Sequence, residues 1–230
     1  PGVVTVGGRI QSGVIGPGCT NERYDDCREL AQFCIDSTLP LLIDAGALDL
    51  VRGLIDYADT RSRSLSRTIL TPHHGEAARL LTQLGSPHSC ADVDADPAAS
   101  AKELASLTGA IILLKSATTV CSYLKHDQGS RTQEIVLIPQ ETPWAGVAGS
   151  GDVLAGTVAG IAAGFQARAE RRQGNPSISE AECATLASLG AWVHAQAALR
   201  TSVGSEGKAR PIQAIDIARA LPEIIGGLCS

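Results

Sequence analysis

Apolar residues along the chain fall into two rhythms. Short continuous apolar runs alternate with longer stretches in which apolar positions recur every third or fourth residue, the spacing of one helix face. The short runs predict strands at Val3–Val6, Gly13–Ile15, Leu41–Asp44, Thr68–Leu70 and Ala110–Lys115. The periodic stretches predict helices at Glu22–Asp36, Leu48–Tyr57, Ala77–Leu84, Pro97–Leu107, Val153–Ala163, Glu180–Leu199 and Ile212–Leu221. In the first helix Leu30, Phe33 and Cys34 share a face and the acidic residues come early, where they suit the helix dipole. Thr119–Leu124 and Glu134–Ile138 read as an antiparallel pair joined by the turn-rich His126–Ser130. Ser86–Asp96 and Asn175–Ser179 read as polar loops. Gly156, Gly160 and Gly164 recur every fourth residue of one helix and predict close packing against a neighbour.

Strand and helix in alternation imply an α/β fold, a mostly parallel sheet with helices on both faces. Ligands of such sheets bind beyond the carboxyl ends of the strands. The residues with chemical potential fall at those ends: Gly16 and Gly18, Asp44, His73 and Glu76, Lys115, and Asp152.

Composition narrows the class. The 230 residues fit one α/β domain, expected over residues 1–230. Aromatics are only 3% against 44% hydrophobic, so the core must be built from Ala, Val, Ile and Leu. A net charge of −5 argues against nucleic-acid binding. Arg168, Arg171 and Arg172 read as a solvated helix end. The longest apolar run, Val153–Phe165, is 13 residues and too short to span a bilayer. No signal peptide is visible. The seven cysteines lack Cys-x-x-Cys spacing and read as reduced packing residues of a cytoplasmic protein. The chain starts at Pro1 and contains no Met, which predicts a processed or truncated piece.

The richest segment is Ala148-Gly149-Ser150-Gly151-Asp152-Val153-Leu154-Ala155-Gly156. Gly149 and Gly151 allow the backbone to approach a ligand closely. The first amides of the following helix lack intrahelical partners and attract an anion. Asp152 beside them suits a base that takes a proton from a hydroxyl while the amides hold a phosphoryl group. An N-cap role for the same aspartate stays open. His73-x-x-Glu76 opens a helix after a strand. Glu76 either favours the helix dipole or holds Mg²⁺ through water, and His73 suits a ligand hydroxyl or phosphate. Lys115-Ser116-Ala117-Thr118-Thr119 offers a cation followed by small residues that leave room for a nucleotide. Asp44 is equally an ordinary turn former. His88, His126 and His194 carry no partner pattern.

Taken together, Gly16-Pro17-Gly18, Asp44-Ala45, Thr71-Pro72-His73-His74-Gly75-Glu76, Leu114-Lys115 with Thr118-Thr119, and Gly149–Gly156 resemble the ADP-dependent NAD(P)H-hydrate dehydratases, almost end to end. Ala214-Ile215-Asp216-Ile217 with Leu221-Pro222 looks like that family's C-terminal signature. The Thr-Pro-His-x-Gly-Glu element separates this family from its relatives, and Gly-x-Gly-Asp is shared with the wider ribokinase-like superfamily. The resemblance implies a ribokinase-like fold and a hydro-lyase that restores NADH or NADPH from its S-configured hydrate. ADP, or ATP, would phosphorylate the ring hydroxyl with Mg²⁺ present, and loss of phosphate would regenerate the double bond. It implies Asp152 as the catalytic base, and Gly18, His73 and Asp152 as contacts to the hydrated dinucleotide. Lys115, Ser116, Ala117, Thr118, Thr119, Gly149, Ser150 and Gly151 would hold the nucleotide, and the protein would form a homo-oligomer.

Four departures stand out. The usual Asp-Ala-Asp reads Asp44-Ala45-Gly46. Lys-Gly-Ala-Gly-Thr reads Lys115-Ser116-Ala117-Thr118-Thr119. Gly-Pro-Gly-Leu-Gly reads Gly16-Pro17-Gly18-Cys19-Thr20. The family's N-terminal segment has no counterpart here, so a truncated domain is expected. Two other readings remain: a small-molecule kinase acting on a sugar, hydroxymethylpyrimidine or pyridoxal-like alcohol, and a nucleotide-binding module without turnover.

Overall fold

Three-residue strands suffice at the centre of this sheet because β2 (Leu41–Ile43) and β3 (Thr68–Leu70) are buried on both faces, whereas the edge strand β1 (Gly13–Ile15) leaves Val14 exposed. A computed structural model describes residues 8–127, 129–172, 177–203 and 207–228. The strand expected at Val3–Val6 lies outside them. Six strands, β1 (Gly13–Ile15), β2 (Leu41–Ile43), β3 (Thr68–Leu70), β4 (Ile111–Leu114), β5 (Thr118–Asp127) and β6 (Ser130–Pro139), lie in the sheet in that order. β1 to β4 run parallel, with Gly13 opposite Leu41 and Leu41 opposite Thr68. β5 runs antiparallel to β4, and β6 to β5. Both members of this last pair extend beyond the expected apolar runs, because exposed polar residues continue the ladder.

Alternation sorts each strand's residues between two cores. Leu41, Ile43, Leu70, Ile112 and Leu114 face α1 (Tyr24–Asp36), α2 (Val51–Thr60), α3 (His74–Gln83) and α5 (Pro97–Thr108). Leu42, Ile69, Ile111 and Leu113 face α6 (Ser150–Ala169) and α7 (Glu180–Ser202). The last helix, α8 (Ala214–Leu228), packs on α6 and α7 in a smaller cluster around Ile212, Ile217 and Ala220. Among the described residues no helix is long and apolar enough to cross a membrane.

The helix ends follow local chemistry. Asp96 caps α5 by accepting from the Ala99 amide at 2.8 Å, Pro97 occupies the first turn, and Gly109 ends the helix at φ 66°. Ser179 and Glu182 form a reciprocal capping box on α7. A similar box, Ser89 with Asp92, folds α4 (Cys90–Ala95) out of the stretch expected as a loop. That short helix escapes periodicity because it buries only Val93.

The glycine row of α6 does not have the role expected of it. A Cβ at Gly156, Gly160 or Gly164 would meet nothing within 4 Å, so no helix packs closely there. These glycines instead line an open apolar groove of about 670 Å³, shared with Phe165, Leu221 and Ile225. The close approach lies elsewhere. A Cβ at Gly190 of α7 would come within 2.7 Å of the Val158 side chain of α6.

Candidate active site

Asp44, His73, Glu76, Lys115 and Gly151 owe their positions to the end of a strand or the start of a helix. Asp44 follows β2, and its amide still donates to the Ile15 carbonyl at 3.0 Å. Lys115 follows β4, and its amide donates to the Pro72 carbonyl at 2.8 Å, bridging to His73 after β3. The parallel strands therefore deliver an acid and a base side by side. Lys115 Nζ lies 2.7 Å from Asp44 Oδ1 and 3.8 Å from Glu76 Oε2. The Asp44 side chain is only 3% exposed, so the paired ammonium is what makes its burial tolerable. Gly16 is obligatory beside it, with φ 139° and no room for a Cβ, which would fall 2.1 Å from the Asp44 carbonyl oxygen.

His73 and Glu76 cap α3 together. The Gly75 and Glu76 amides donate to His73 Nδ1 at 3.1 and 3.3 Å, and the His73 amide donates to Glu76 Oε2 at 2.9 Å. An Nδ1 that accepts fixes the imidazole proton on Nε2, leaving Nε2–H to donate. Glu76 Oε1 lies 3.4 Å from that nitrogen. The dipole role and a ligand-facing role for this pair are thus compatible: the cap consumes Nδ1 and leaves Nε2.

Helix α6 begins beside the ion pair. Gly149 precedes it at φ 84°, and no side chain caps its first amides. A Cβ on Gly151 would stand 3.6 Å from Lys115 Nζ and 3.7 Å from Asp44 Oδ2. The backbone at 151 therefore faces the cation directly, and an anion there would meet both the amides and the ammonium. Asp152 is exposed in the first turn and makes no hydrogen bond or ion pair among the described residues. That excludes the N-cap reading: the cap position belongs to Gly149.

A cavity of about 620 Å³ gathers His73, Lys115, Ser116, Ala117, Thr119, Ser150 and Gly151. Glu76 adjoins it through His73 and Lys115. Thr118, Gly149 and Asp152 lie at its borders and are not among its lining residues. Gly18 lines a separate cavity of about 330 Å³ on the β1 side. Asp44, left open by the sequence, turns out to be the partner of Lys115.

The sequence reading missed His194. It projects from α7 into the same cavity, with Nε2 3.1 Å from the Ser150 carbonyl and 3.2 Å from Ser150 Oγ. Burial pushes this imidazole down to about 4, so it stays neutral and holds the start of α6 by donating to that carbonyl. The available signal was a titratable residue set within the Ala-rich stretch Ala191–Ala198, which it shares with Gln196. Gln140 and Thr142, from the segment after β6, complete the polar lining.

For a divalent cation the hard oxygen donors present are Asp44 and Glu76. Among the described residues no group of three His, Cys, Asp or Glu side chains is arranged around one point. Two carboxylates beside an anion-binding helix start suit Mg²⁺, which ordinarily keeps waters and takes phosphate oxygens as further ligands.

Comparison with known proteins adds lineage to this geometry. The family model described as NAD(P)H-hydrate dehydratase matches residues 4–218. The bifunctional NAD(P)H-hydrate repair enzyme Nnr of Mycobacterium tuberculosis is 35% identical over 156 residues, 68% of this chain and 29% of that protein. The ADP-dependent (S)-NAD(P)H-hydrate dehydratase of Neisseria meningitidis is 35% identical over 161 residues, 69% of this chain and 44% of that protein. The matched segments thus cover less than half the length of these relatives. Among solved structures, the ADP/ATP-dependent NAD(P)H-hydrate dehydratase of Bacillus subtilis, co-crystallized with ATP/Mg²⁺, superposes with a TM-score of 0.63. It covers 94% of this chain and 64% of that one, at 22% identity. A hydroxyethylthiazole kinase from Pyrococcus horikoshii gives 0.59 at 16% identity, over 91% of this chain and 70% of that one. At these identities the likeness is one of fold, and the fold is ribokinase-like.

Proposed function

This chain belongs to the NAD(P)H-hydrate dehydratase family, and we propose that it carries out the family reaction, nucleotide-dependent dehydration of (S)-NAD(P)H hydrate. One observation carries the reading. The uncapped start of α6 and the Lys115 ammonium converge on one point, with an unpartnered Asp152 alongside.

In this reading ADP or ATP lies along Lys115–Thr119, and its terminal phosphate meets the Gly151 amide beside Ser150, whose own amide is taken by the Val147 carbonyl. Lys115 and the helix start offset the charge that spreads over the phosphoryl oxygens during transfer. Asp152 takes the proton of the ring hydroxyl as oxygen attacks phosphorus, a role typically worth about 10²–10⁴ in rate. Cleavage of the ring C–O bond then releases phosphate, and loss of a proton from the adjacent ring carbon to solvent restores the ring double bond. His73 Nε2–H and Gly18 contact the hydrated dinucleotide, and His194 keeps the amides aimed. Glu76, with Asp44 near it, would hold Mg²⁺ through water, and the ion when bound would supply charge neutralisation on the phosphates. We place the protein in the cytoplasm, as a single ribokinase-like domain that forms homo-oligomers. Its seven cysteines without Cys-x-x-Cys spacing and its net charge of −5 support that setting.

A second reading, a nucleotide-binding unit without turnover, draws support from Gly18 lining a different cavity. One assay separates them: recovery of dihydronicotinamide absorbance from mixed S and R hydrates of NADH, with Mg²⁺ and ADP or ATP. Nucleotide-dependent recovery of the S fraction, lost in Asp152→Asn, is the expected result. Thermal stabilisation by ADP with no recovery would establish the binding unit instead.

A further inference from the structure

The departure at position 19 creates chemistry of its own. Cys19 stands at the end of the Gly16-Pro17-Gly18 loop, and Cys27 projects from the second turn of α1. Their sulfurs are 2.8 Å apart, with the Cys19 thiol donating to Cys27. A covalent S–S bond is about 2.05 Å, so closing the pair needs a shift of only about 0.8 Å. The loop has the freedom to make it. Gly18 sits at φ 72° with open space around its Cα. Both thiols are part-exposed and line the cavity of about 330 Å³, together with Arg23 and Asp26.

We propose that Cys19 and Cys27 are a dithiol modification site that closes to an intramolecular disulfide on exchange with a small disulfide such as oxidised glutathione. The Cys27 sulfur, which accepts the hydrogen bond, loses its proton to solvent and attacks one glutathione sulfur, releasing one glutathione thiolate. Cys19 then gives up its proton and attacks the Cys27 sulfur of the mixed disulfide, expelling the second glutathione. Two electrons pass from the protein to the glutathione disulfide, and two glutathione thiols leave. Burial and the bond to Cys27 push the Cys19 thiol up to about 11, which suits the resolving partner rather than the first attacker. Closure tethers the Gly16–Gly18 loop to α1. On its other side the loop passes close to Gly46, where a Cβ would lie 2.9 Å from the Cys19 carbonyl oxygen.

The other described cysteines act as internal controls. Burial pushes Cys34 and Cys121 up to about 11 and Cys183 up to about 12, so they stay unreactive. Cys90 is exposed and alone. The experiment is differential alkylation of the folded, full chain after incubation in oxidised glutathione, with peptide mapping by mass spectrometry. Cys19 and Cys27 are expected to lose alkylation together by roughly tenfold, in one linked peptide pair that carries no glutathione. Dithiothreitol should restore both, and Cys90 should carry a glutathione adduct. In Cys27→Ser, Cys19 should retain its alkylation or trap one glutathione. Separate glutathione adducts on Cys19 and Cys27 in the unsubstituted protein, or full alkylation of both while Cys90 is modified, would overturn the proposal.

Discussion

Helix α6 lines two cavities of nearly the same size, about 620 Å³ at its start and about 670 Å³ along its glycine row. At the first, the Lys115–Asp44 pair, neutral His194, the His73 cap and uncapped amides all converge. At the second, Gly156, Gly160 and Gly164 face Leu221 and Ile225, and only Thr157 and Arg168 interrupt the apolar wall. Volume therefore does not identify a site here. Converging polar groups held by strand ends do, because each such group costs desolvation that apolar packing never repays.

The sharpest way to break the contrast is to remove the base. Asp152→Asn should lower nucleotide-dependent recovery of NADH by about 10²–10⁴, while Phe165→Ser in the groove leaves it within about twofold. Equal losses in the two variants would end the distinction. Next comes Lys115→Ala, which leaves Asp44 buried without its counter-charge and should cost about 3–5 kcal/mol by urea unfolding. A midpoint unchanged from wild type would mean that solvent reaches Asp44 freely.

His194 gives the contrast a pH dependence. Its folded value, about 4, lies below the ordinary 6.5, so the unfolded chain binds the proton first as pH falls. The stability it contributes is complete above about 6.5 and declines as pH drops towards about 4, by at most about 3 kcal/mol. His194→Gln should flatten that portion of the stability–pH curve, and an unaltered curve would remove His194 from the account. Gly190→Ala should destabilise by about 1–3 kcal/mol, since Val158 blocks the methyl group. The smallest effect has the opposite sign. Gly160→Ala should raise stability by about 0.5–1 kcal/mol, because the methyl meets open space and the helix loses a flexible residue. A loss of stability there would reveal packing across the groove.

The same two regions mark how far the sequence could be read. Strand ends were legible because β2 to β4 are short runs buried throughout, and because Gly16 after β1 and Asp44 after β2 break the apolar pattern. That placed His73 and Lys115 at one edge of the sheet before any coordinates. Pairing was less accessible. Asp44 and Lys115 lie 71 residues apart, and only the parallel register brings them together. His194 was hidden for a similar reason, because its partner Ser150 sits on another helix, 44 residues away. The glycine row misled because spacing shows that a face is small but not whether a neighbour exploits it. Gly190, with no repeat to advertise it, was the position under constraint.

The order of the strands across the sheet is also the order in which the ribosome delivers them. Each new strand finds its neighbour already made, and α1, α2, α3 and α5 cover the first face as they appear. The other face, with Leu42, Ile69, Ile111 and Leu113, must wait for α6 and α7 near the far end of the chain. At about 5–20 residues per second, that wait lasts several seconds. The nascent chain therefore passes through a half-clothed stage with a bare apolar sheet face, the point in its synthesis at which a holding chaperone would have the most to grip.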